Sequence, residues 1–161
     1  MTPDLKPAGP DDGELLYLVY ASTREEELAV VPWDGPTKEA FLRMQFAAQD
    51  SYYRANWPNA SYDLIVSGNE ALGRLYVDRD AETWQVLDIA LLPQYRGMGV
   101  GTQLLGDILT EATEVAKPVQ IYVERFNPAR HLYDRLGFKQ IGEQEIYLLM
   151  EREPGYPNTA S

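Results

Sequence analysis

Apolar residues in the N-terminal third of the chain recur mainly at helical spacing. A short edge strand is predicted at residues 3–8. Asp11 or Asp12 is then expected to cap a first helix, because their carboxylates can accept from unpaired first-turn amides. That helix carries Leu15–Val19, and the apolar spacing of residues 37–55 predicts a second, longer one. This part of the chain is therefore expected to form one strand and two helices.

Strand-like segments and a third amphipathic helix occupy the middle of the chain. The strands are predicted at residues 62–67, 71–79 and 83–92, each followed by turn-forming residues. The short turns between them favour an antiparallel meander. An apolar helical face within residues 102–116 then precedes a strand at 119–124. Residues 83–124 thus form one strand–helix–strand crossover.

The C-terminal part is expected to hold a short helix and two strands. Asn127-Pro128 is typical of a helix N-cap followed by proline, and Gly137 of a C-terminal glycine. Strands are predicted at 138–142 and 145–150, and the tail at 153–161 is expected to be loose. The pattern predicts one α+β domain over residues 1–161, with its core at about 3–151. Its mixed sheet is mostly antiparallel, with six to seven strands and about four helices.

The composition excludes several chemistries. The chain has no cysteine, which rules out a disulfide framework, a thiolate metal site and a cysteine nucleophile. His131 is the one histidine, so no metal is expected. The formal net charge of −11 disfavours nucleic acid and anionic membranes as partners. It favours a cationic partner, unless the acidity serves only solubility. The first ten residues do not resemble a secretory signal, so a cytoplasmic location is expected.

A glycine-rich stretch, Gln94–Gly101 (QYRGMGVG), lies between a predicted strand and a predicted helix. The first amides of a helix are unpaired and lie at the positive end of its dipole, so they form an anion site. The amides of Met98–Thr102 are therefore expected to bind a pyrophosphate. No Gly-Lys-Ser/Thr follows, as a P-loop would require, and Thr102 does not fit a dinucleotide fingerprint. The alternative is a merely tight turn.

Two segments carry a family resemblance. Leu91–Gly101 resembles the acyl-CoA pyrophosphate motif of the GCN5-related N-acetyltransferases (GNAT), Gln/Arg-x-x-Gly-x-Gly/Ala, with Arg96, Gly99 and Gly101 at its fixed positions. Asn127–Phe138 resembles the family's Asn-x-x-Ala…Leu-Tyr-x-x-x-Gly-Phe segment, although alanine here directly follows Asn-Pro. The order of strands and helices matches the family fold from about residue 3 to 151.

The resemblance implies transfer of an acetyl group from acetyl-CoA to an amine by direct attack in a ternary complex. The pantetheine arm would lie between two splayed parallel strands, 83–92 and 119–124, and one amide near its thioester would polarise the carbonyl. The implied cofactor-binding residues are Ala90, Leu91, Leu92, Arg96, Gly97, Met98, Gly99, Val100, Gly101, Thr102, Asn127, Arg130 and Tyr133. The family also favours a homodimer through the late strands. The alternatives are a non-catalytic acyl-CoA-binding or partner-binding module, and a binder of another phosphate-bearing nucleotide.

Two residues are candidates for proton transfer. Tyr133 matches the family's general-acid position, and its alternative is a core aromatic. Asp88 interrupts an apolar strand, and period-two alternation places it on the same face as Val86 and Ala90. A buried carboxylate is costly unless it is paired or functional, so Asp88 is either the base, directly or through water, or part of a salt bridge. Glu124 is the competing base.

The remaining site candidates are polar, charged or aromatic. Arg96 and Arg130 are candidates to neutralise CoA phosphates, with an exposed arginine as the alternative for Arg130. Asn127 is expected to cap its helix, contact the pantetheine arm, or both. The acceptor side is expected within residues 24–57, where the candidates are Glu25, Glu26, Trp33, Gln45, Gln49, Tyr52 and Tyr53.

Overall fold

The computed structural model describes residues 2–155. These residues contain seven strands and five α-helices. The strands are β1 (Asp4–Pro7), β2 (Ser61–Ser67), β3 (Glu70–Asp78), β4 (Trp84–Leu91), β5 (Val119–Glu124), β6 (Lys139–Gln144) and β7 (Tyr147–Arg152). The helices are α1 (Gly13–Thr23), α2 (Glu25–Ala29), α3 (Gly35–Asn56), α4 (Val100–Glu114) and α5 (Arg130–Arg135).

The strands form one sheet in the order β1-β2-β3-β4-β5-β7-β6. Every neighbouring pair is antiparallel except β4 and β5, which are parallel and joined by α4. This confirms the predicted α+β class, the mostly antiparallel sheet and its one parallel pair.

Each face of the sheet has its own hydrophobic core. On one face, Val77 and Val86 pack with residues of α4 such as Leu105 and Leu109. The opposite face packs Tyr76 and other side chains against α1 and α3. Full burial of an aliphatic side chain contributes about 1.5–3 kcal/mol, so these two layers fix the sheet between its helices.

The helix α2 adds an element that the apolar pattern did not predict. Its first turn holds Glu25, Glu26 and Glu27, whose negative charges lie at the favourable end of the helix dipole. The helix that follows begins at Gly35, two residues before the predicted start, because the Asp34 carboxylate caps it by accepting from the Thr37 amide at 2.8 Å.

Several other predicted boundaries are wrong in detail. Asp12 accepts from the Gly9 amide and makes no side-chain cap to α1, because a 3-10 turn at Pro10–Asp12 intervenes. The last helix begins at Arg130 and not at Pro128. The final hairpin turns at residues 145–146, because β6 continues past its predicted end at Gly142 to Gln144, with a bulge between Gln140 and Gly142. Residues 156–161 of the predicted tail lie outside the described part of the chain.

Candidate active site

The parallel strands β4 and β5 part halfway along their length. Their pairing runs from Trp84↔Val119 to Val86↔Ile121 and then stops, although β4 continues to Leu91 and β5 to Glu124. The β5-facing backbone groups of β4 beyond this point have no partner in β5. An extended ligand can pair with such groups as an added strand.

The far end of β4 is held close to β3 by a glycine. Gly73 pairs with Leu91, and a Cβ atom at position 73 would overlap the Ala90 carbonyl oxygen. Only glycine allows this approach of two backbones. Gly73 therefore sets the position of Ala90 and Leu91, two of the residues expected to contact the pantetheine arm.

A bulge in β4 decides where Asp88 points. The register with β3 shifts between Tyr76↔Asp88 and Val77↔Val86. Val86 packs in the core under α4, whereas Tyr76 lies in the core under α1 and α3. The predicted shared face of Asp88 and Val86 is therefore wrong. Asp88 shares the face of Tyr76, because the bulge breaks the two-residue alternation.

Asp88 is engaged in a charged network with β3 and α3. Arg74 donates from Nη2 to Asp88 Oδ2 at 2.7 Å and from Nε to Oδ1 at 3.2 Å. Arg74 also donates to Gln49 at 2.9 Å, and the Tyr53 hydroxyl lies within hydrogen-bonding distance of the Leu87 carbonyl and of Asp88. Arg74 is 2% exposed, so the carboxylate compensates a buried cation. This is the salt bridge that the sequence analysis gave as the alternative to a base.

The glycine stretch forms an open loop ahead of α4. Gly97 and Gly99 have φ angles of 76° and 81°, in the left-handed region that favours glycine. A Cβ atom at Gly97, Gly99 or Gly101 would meet no protein atom within 4 Å, so the loop leaves space beside its backbone. Met98 is exposed and the Val100 side chain is buried. The first amides of the helix, Val100 to Thr102, are the orphan donors that an anion can accept.

Arg96 links this loop to two other parts of the site. Its Nε donates to the Leu91 carbonyl at 3.0 Å, and its Nη2 lies 3.3 Å from Ser22 Oγ. The side chain therefore joins the end of β4 to the end of α1. Arg130 donates to the Arg125 carbonyl at 2.8 Å and is half-buried. The Asn127 side chain accepts from the Ala129 amide at 2.9 Å, in the turn before α5. The predicted helix cap at Asn127 is wrong, because the N-cap of α5 is Ala129 and has no side-chain cap.

Tyr133 lies at the gap between the strands. Its ring is buried against Phe138, 5.9 Å between centroids, and it lines the central cavity described next. Burial, with a smaller contribution from the Asp88 charge, raises the pKa of Tyr133 to about 12. Within residues 2–155 its hydroxyl has no hydrogen-bond partner. Tyr133 is therefore a protonated donor that a ligand in the cavity can use.

A central cavity of about 320 Å³ lies over the parted strands. It brings together the predicted residues Asp88, Ala90, Asn127 and Tyr133 with Glu124, which is exposed at the end of β5. The wall also includes Tyr20, Thr23, Arg24, Glu27, Gln49, Tyr53, Arg74, Val86, Leu87, Ile89, Ile121, Tyr122, Val123 and Tyr147. The pyrophosphate loop and Arg130 do not line this cavity.

The predicted acceptor residues divide into two groups. Gln49 and Tyr53 line the central cavity, and Tyr52 with Tyr53 lines a second cavity beside it. Gln45 instead accepts from the Tyr20 hydroxyl at 3.3 Å. The other candidates, Glu25, Glu26 and Trp33, line neither cavity.

Sequence reasoning missed Arg74, Tyr122 and Tyr147. A usable signal existed for Arg74, because a lone arginine and a lone aspartate interrupt neighbouring apolar strands, and such charges are buried as pairs. The tyrosines gave no comparable signal, since exposed and buried tyrosines occur in strands alike.

The described part of the chain has neither a membrane-spanning helix nor a group of side chains that could hold a metal ion. None of its helices is long and apolar enough to cross a bilayer. It also contains no group of three or more His, Asp or Glu side chains placed to hold a metal ion.

The parted strands and the open loop ahead of α4 are two features of this fold that can accept an extended, phosphate-bearing ligand. Residues 26–138 match the model of the Acetyltransferase (GNAT) family, so the chain belongs to that family. This confirms the resemblance that the glycine motif and the Asn127–Phe138 segment predicted.

Two relatives have named activities. The chain is 30% identical over 86 residues to a [ribosomal protein bS18]-alanine N-acetyltransferase of Haemophilus influenzae, covering 52% of the chain and 58% of the relative. It is 41% identical over 59 residues to an N-alpha-acetyltransferase of Sulfurisphaera tokodaii, covering 35% of each protein. The chain thus spans about half and about a third of the lengths of these relatives.

Solved structures confirm the fold. The PaiA N-acetyltransferase of Thermoplasma acidophilum, in complex with coenzyme A, superposes with a TM-score of 0.70 at 17% identity, over 95% of this chain and 99% of that one. A Corynebacterium glutamicum structure described as histone acetyltransferase HPA2 and related acetyltransferase gives 0.68 at 24% identity, over 98% and 99%.

Proposed function

We propose that the protein is an acetyl-CoA-dependent N-acetyltransferase that acts by direct transfer in a ternary complex. The observation that carries the proposal is the gap between β4 and β5, which has unpaired β4 backbone along one side and the Tyr133 hydroxyl beside it. A non-catalytic protein that only binds acyl-CoA would need the gap and the phosphate loop. It would not need a hydroxyl donor, without a partner among the described residues, at the point where the thioester would lie.

Acetyl-CoA would be bound mainly by backbone groups. Its pyrophosphate accepts from the amides of residues 98–102, and its pantetheine arm pairs with β4 at Ala90–Leu92. An amide of this segment polarises the thioester carbonyl. Arg96 shapes the loop through its contacts with Leu91 and Ser22. Its positive charge also reduces the repulsion between the anion and a chain of net charge −11.

The reaction moves two protons. The amine nitrogen attacks the carbonyl carbon, the carbon–sulfur bond breaks, and the departing thiolate takes a proton from the Tyr133 hydroxyl. The proton released from the amine nitrogen passes through water to the base, and Tyr133 regains its proton from the solvent when the products leave. Both Asp88 oxygens accept from Arg74, so we assign the proton acceptor to Glu124 acting through water, and to Asp88 a positioning role. Comparison of Glu124→Gln with Asp88→Asn tests this: at one pH, loss of the base in the glutamate variant should lower kcat by about 10²-fold, and the aspartate variant should lower it less.

The proposed acceptor is the N-terminal amine of a protein. Both relatives with named activities are described as α-amino or alanine N-acetyltransferases. An α-amine has a pKa of about 8, against about 10.4 for lysine, so it needs only a weak base. This suits a site in which the Asp88 carboxylate is held by Arg74 and the Glu124 carboxylate is exposed.

A thiol-release assay with acetyl-CoA tests the proposal. The acceptors are short peptides with a free N-terminus, the same peptides with a blocked N-terminus and an internal lysine, and a polyamine. Turnover of the free-terminus peptides alone is expected. Turnover of the blocked lysine peptides alone would reject the N-terminal acceptor. Calorimetry that showed binding of ATP or NAD and no binding of acetyl-CoA would reject the acetyltransferase activity itself.

We also propose that two copies associate through the late strands. Among the described strands β6 pairs only with β7, so it forms an edge of the sheet, and Ile141 on it is exposed. Light scattering that gave the mass of one chain would contradict this.

A further inference from the structure

A second cavity, of about 480 Å³, lies beside the central one. We call it the aromatic cleft, and its wall consists of Tyr52, Tyr53, Trp57, Gln85, Val86, Leu87, Tyr122, Gln144, Glu145 and Tyr147. These residues come from the end of α3, the middle of β4 and β5, and the hairpin between β6 and β7. Half of them are aromatic, which is typical of a site for an apolar or planar group.

The aromatic cleft continues the central cavity. The two share Tyr53, Val86, Leu87, Tyr122 and Tyr147. The pyrophosphate loop and residues 90–92, at and just beyond the end of β4, line no part of the cleft, so the cofactor path proposed above does not enter it. A molecule whose amine lies near Tyr133 can therefore extend its remaining atoms into the cleft.

The surface of the cleft is aromatic and slightly acidic. Tyr52, Tyr122 and Tyr147 are 58%, 47% and 40% exposed, so their rings are accessible to a ligand. Glu145 is the one charged residue among the described lining residues, which include no lysine or arginine. Burial raises the pKa of Tyr147, the negative charge of Glu124 raises it further, and the positive charge of Arg24 opposes this. An acidic acceptor would be repelled here.

We propose that the aromatic cleft binds the side chain of the second or third residue of the acceptor peptide and selects a large apolar or aromatic one. This rests on the N-terminal acceptor proposed above. An extended peptide advances about 3.4 Å per residue, so these residues lie one to two steps beyond the amine at Tyr133. An aromatic side chain there packs edge to face with the tyrosines and Trp57, whereas an aspartate meets Glu145.

Peptides that differ at one position test the selection. All carry the same first residue, with Phe, Ala or Asp at position two, and a second set varies position three. The kcat/KM for acetylation is expected to fall in the order Phe, Ala, Asp at one of these positions. We expect at least tenfold between Phe and Asp, because burial of an aromatic ring and repulsion of a charge both contribute.

Substitution of Tyr52 links the selection to the cleft. Tyr52 lines the cleft and not the central cavity. Tyr52→Ala should lower the ratio of kcat/KM for the Phe peptide to that for the Ala peptide by about fivefold or more, and Tyr52→Phe should restore it. Phe126→Ala is the matched control, because Phe126 is 90% exposed and lines neither cavity. It should leave the ratio unchanged.

The possible failures are distinguishable. Equal kcat/KM values for peptides that are acetylated would overturn the role of the cleft and leave the proposed function standing. Acetylation of small amines with none of the peptides would reject the N-terminal acceptor, and this inference with it. If Tyr52→Ala changes the mass in light scattering but not the peptide ratio, the cleft is a contact between copies of the chain and the proposal is wrong.

Discussion

The Arg74 guanidinium binds both carboxylate oxygens of Asp88, with Nη2 2.7 Å from Oδ2 and Nε 3.2 Å from Oδ1. The two side chains lie on adjacent strands under the central cavity, and Arg74 is almost completely buried. The pair joins β3 to the irregular part of β4, where the parallel partner strand departs. It therefore links the stability of the sheet to the geometry of the site.

Asp88→Asn is expected to lower the free energy of unfolding by about 3 kcal/mol, because it leaves the buried Arg74 cation without its counter-charge. Chemical denaturation measures this. The double variant Arg74→Met with Asp88→Leu removes both charges and should recover most of the loss. A single variant as stable as the parent would show that the ion pair contributes little to folding.

Gly99→Val and Gly101→Val are expected to abolish binding of acetyl-CoA in calorimetry while the protein stays folded. In both, the new side chain occupies the space beside the loop that we assign to the pyrophosphate. Gly99 also has a positive φ, so its variant carries added backbone strain, whereas Gly101 is not among the positive-φ glycines.

Gly68→Val is the strain control for Gly99→Val. Gly68 has a φ of 60° in the β2–β3 turn, and a Cβ atom there meets no atom within 4 Å. It should lose stability without losing acetyl-CoA binding. Normal binding by folded Gly99→Val and Gly101→Val would mean that the phosphate assignment is wrong.

Gly73→Ala is expected to raise the KM for acetyl-CoA about tenfold. The new methyl group would overlap the Ala90 carbonyl and push β4 away from β3 where the pantetheine arm is expected to pair. Gly142→Ala is the matched control within a strand, because its nearest contact would be Leu149 Cβ at an ordinary 3.9 Å. Equal KM values for both variants would show that Gly73 serves packing alone.

The sequence was sufficient to predict the helices and strands that precede and follow the glycine motif. The α4 segment carries a clear apolar face, and the strand predicted at 119–124 has the observed bounds of β5. The apolar face of α4 and the strand pattern of β5 each depend only on residues close together in the chain. The family motifs likewise located Tyr133 and the loop, because each depends on residues close together in the chain.

The bulge in β4 was not predictable from the residue pattern. Alternation assumes a regular ladder, whereas the register between Tyr76 and Val77 depends on hydrogen bonds to another strand. The same reason applies to the aromatic cleft. Tyr52, Tyr122 and Tyr147 are far apart in the sequence, and only the tertiary fold places them around one cavity.

Tyr133→Phe keeps the buried ring and removes only the hydroxyl. If Tyr133 protonates the leaving thiolate, kcat should fall by about 10²-fold while the affinity for acetyl-CoA stays nearly constant, because the interaction forms mainly in the transition state. At neutral pH the free energy of unfolding should change by about 1 kcal/mol or less. Steady-state kinetics, calorimetry and denaturation measure these three quantities.

The pH dependence of Tyr133→Phe supplies an independent check. Because the pKa of Tyr133 is raised from 10 to about 12, the folded state holds this proton more tightly than the unfolded state does. The resulting stabilisation is complete below pH 10 and is lost as the pH rises towards 12. The parent should therefore lose more unfolding free energy than the variant over that interval, and ionisation of Tyr133 should not reduce kcat below about pH 11. A variant that retains more than half of the parental kcat would leave Tyr133 a packing residue, whatever its pKa.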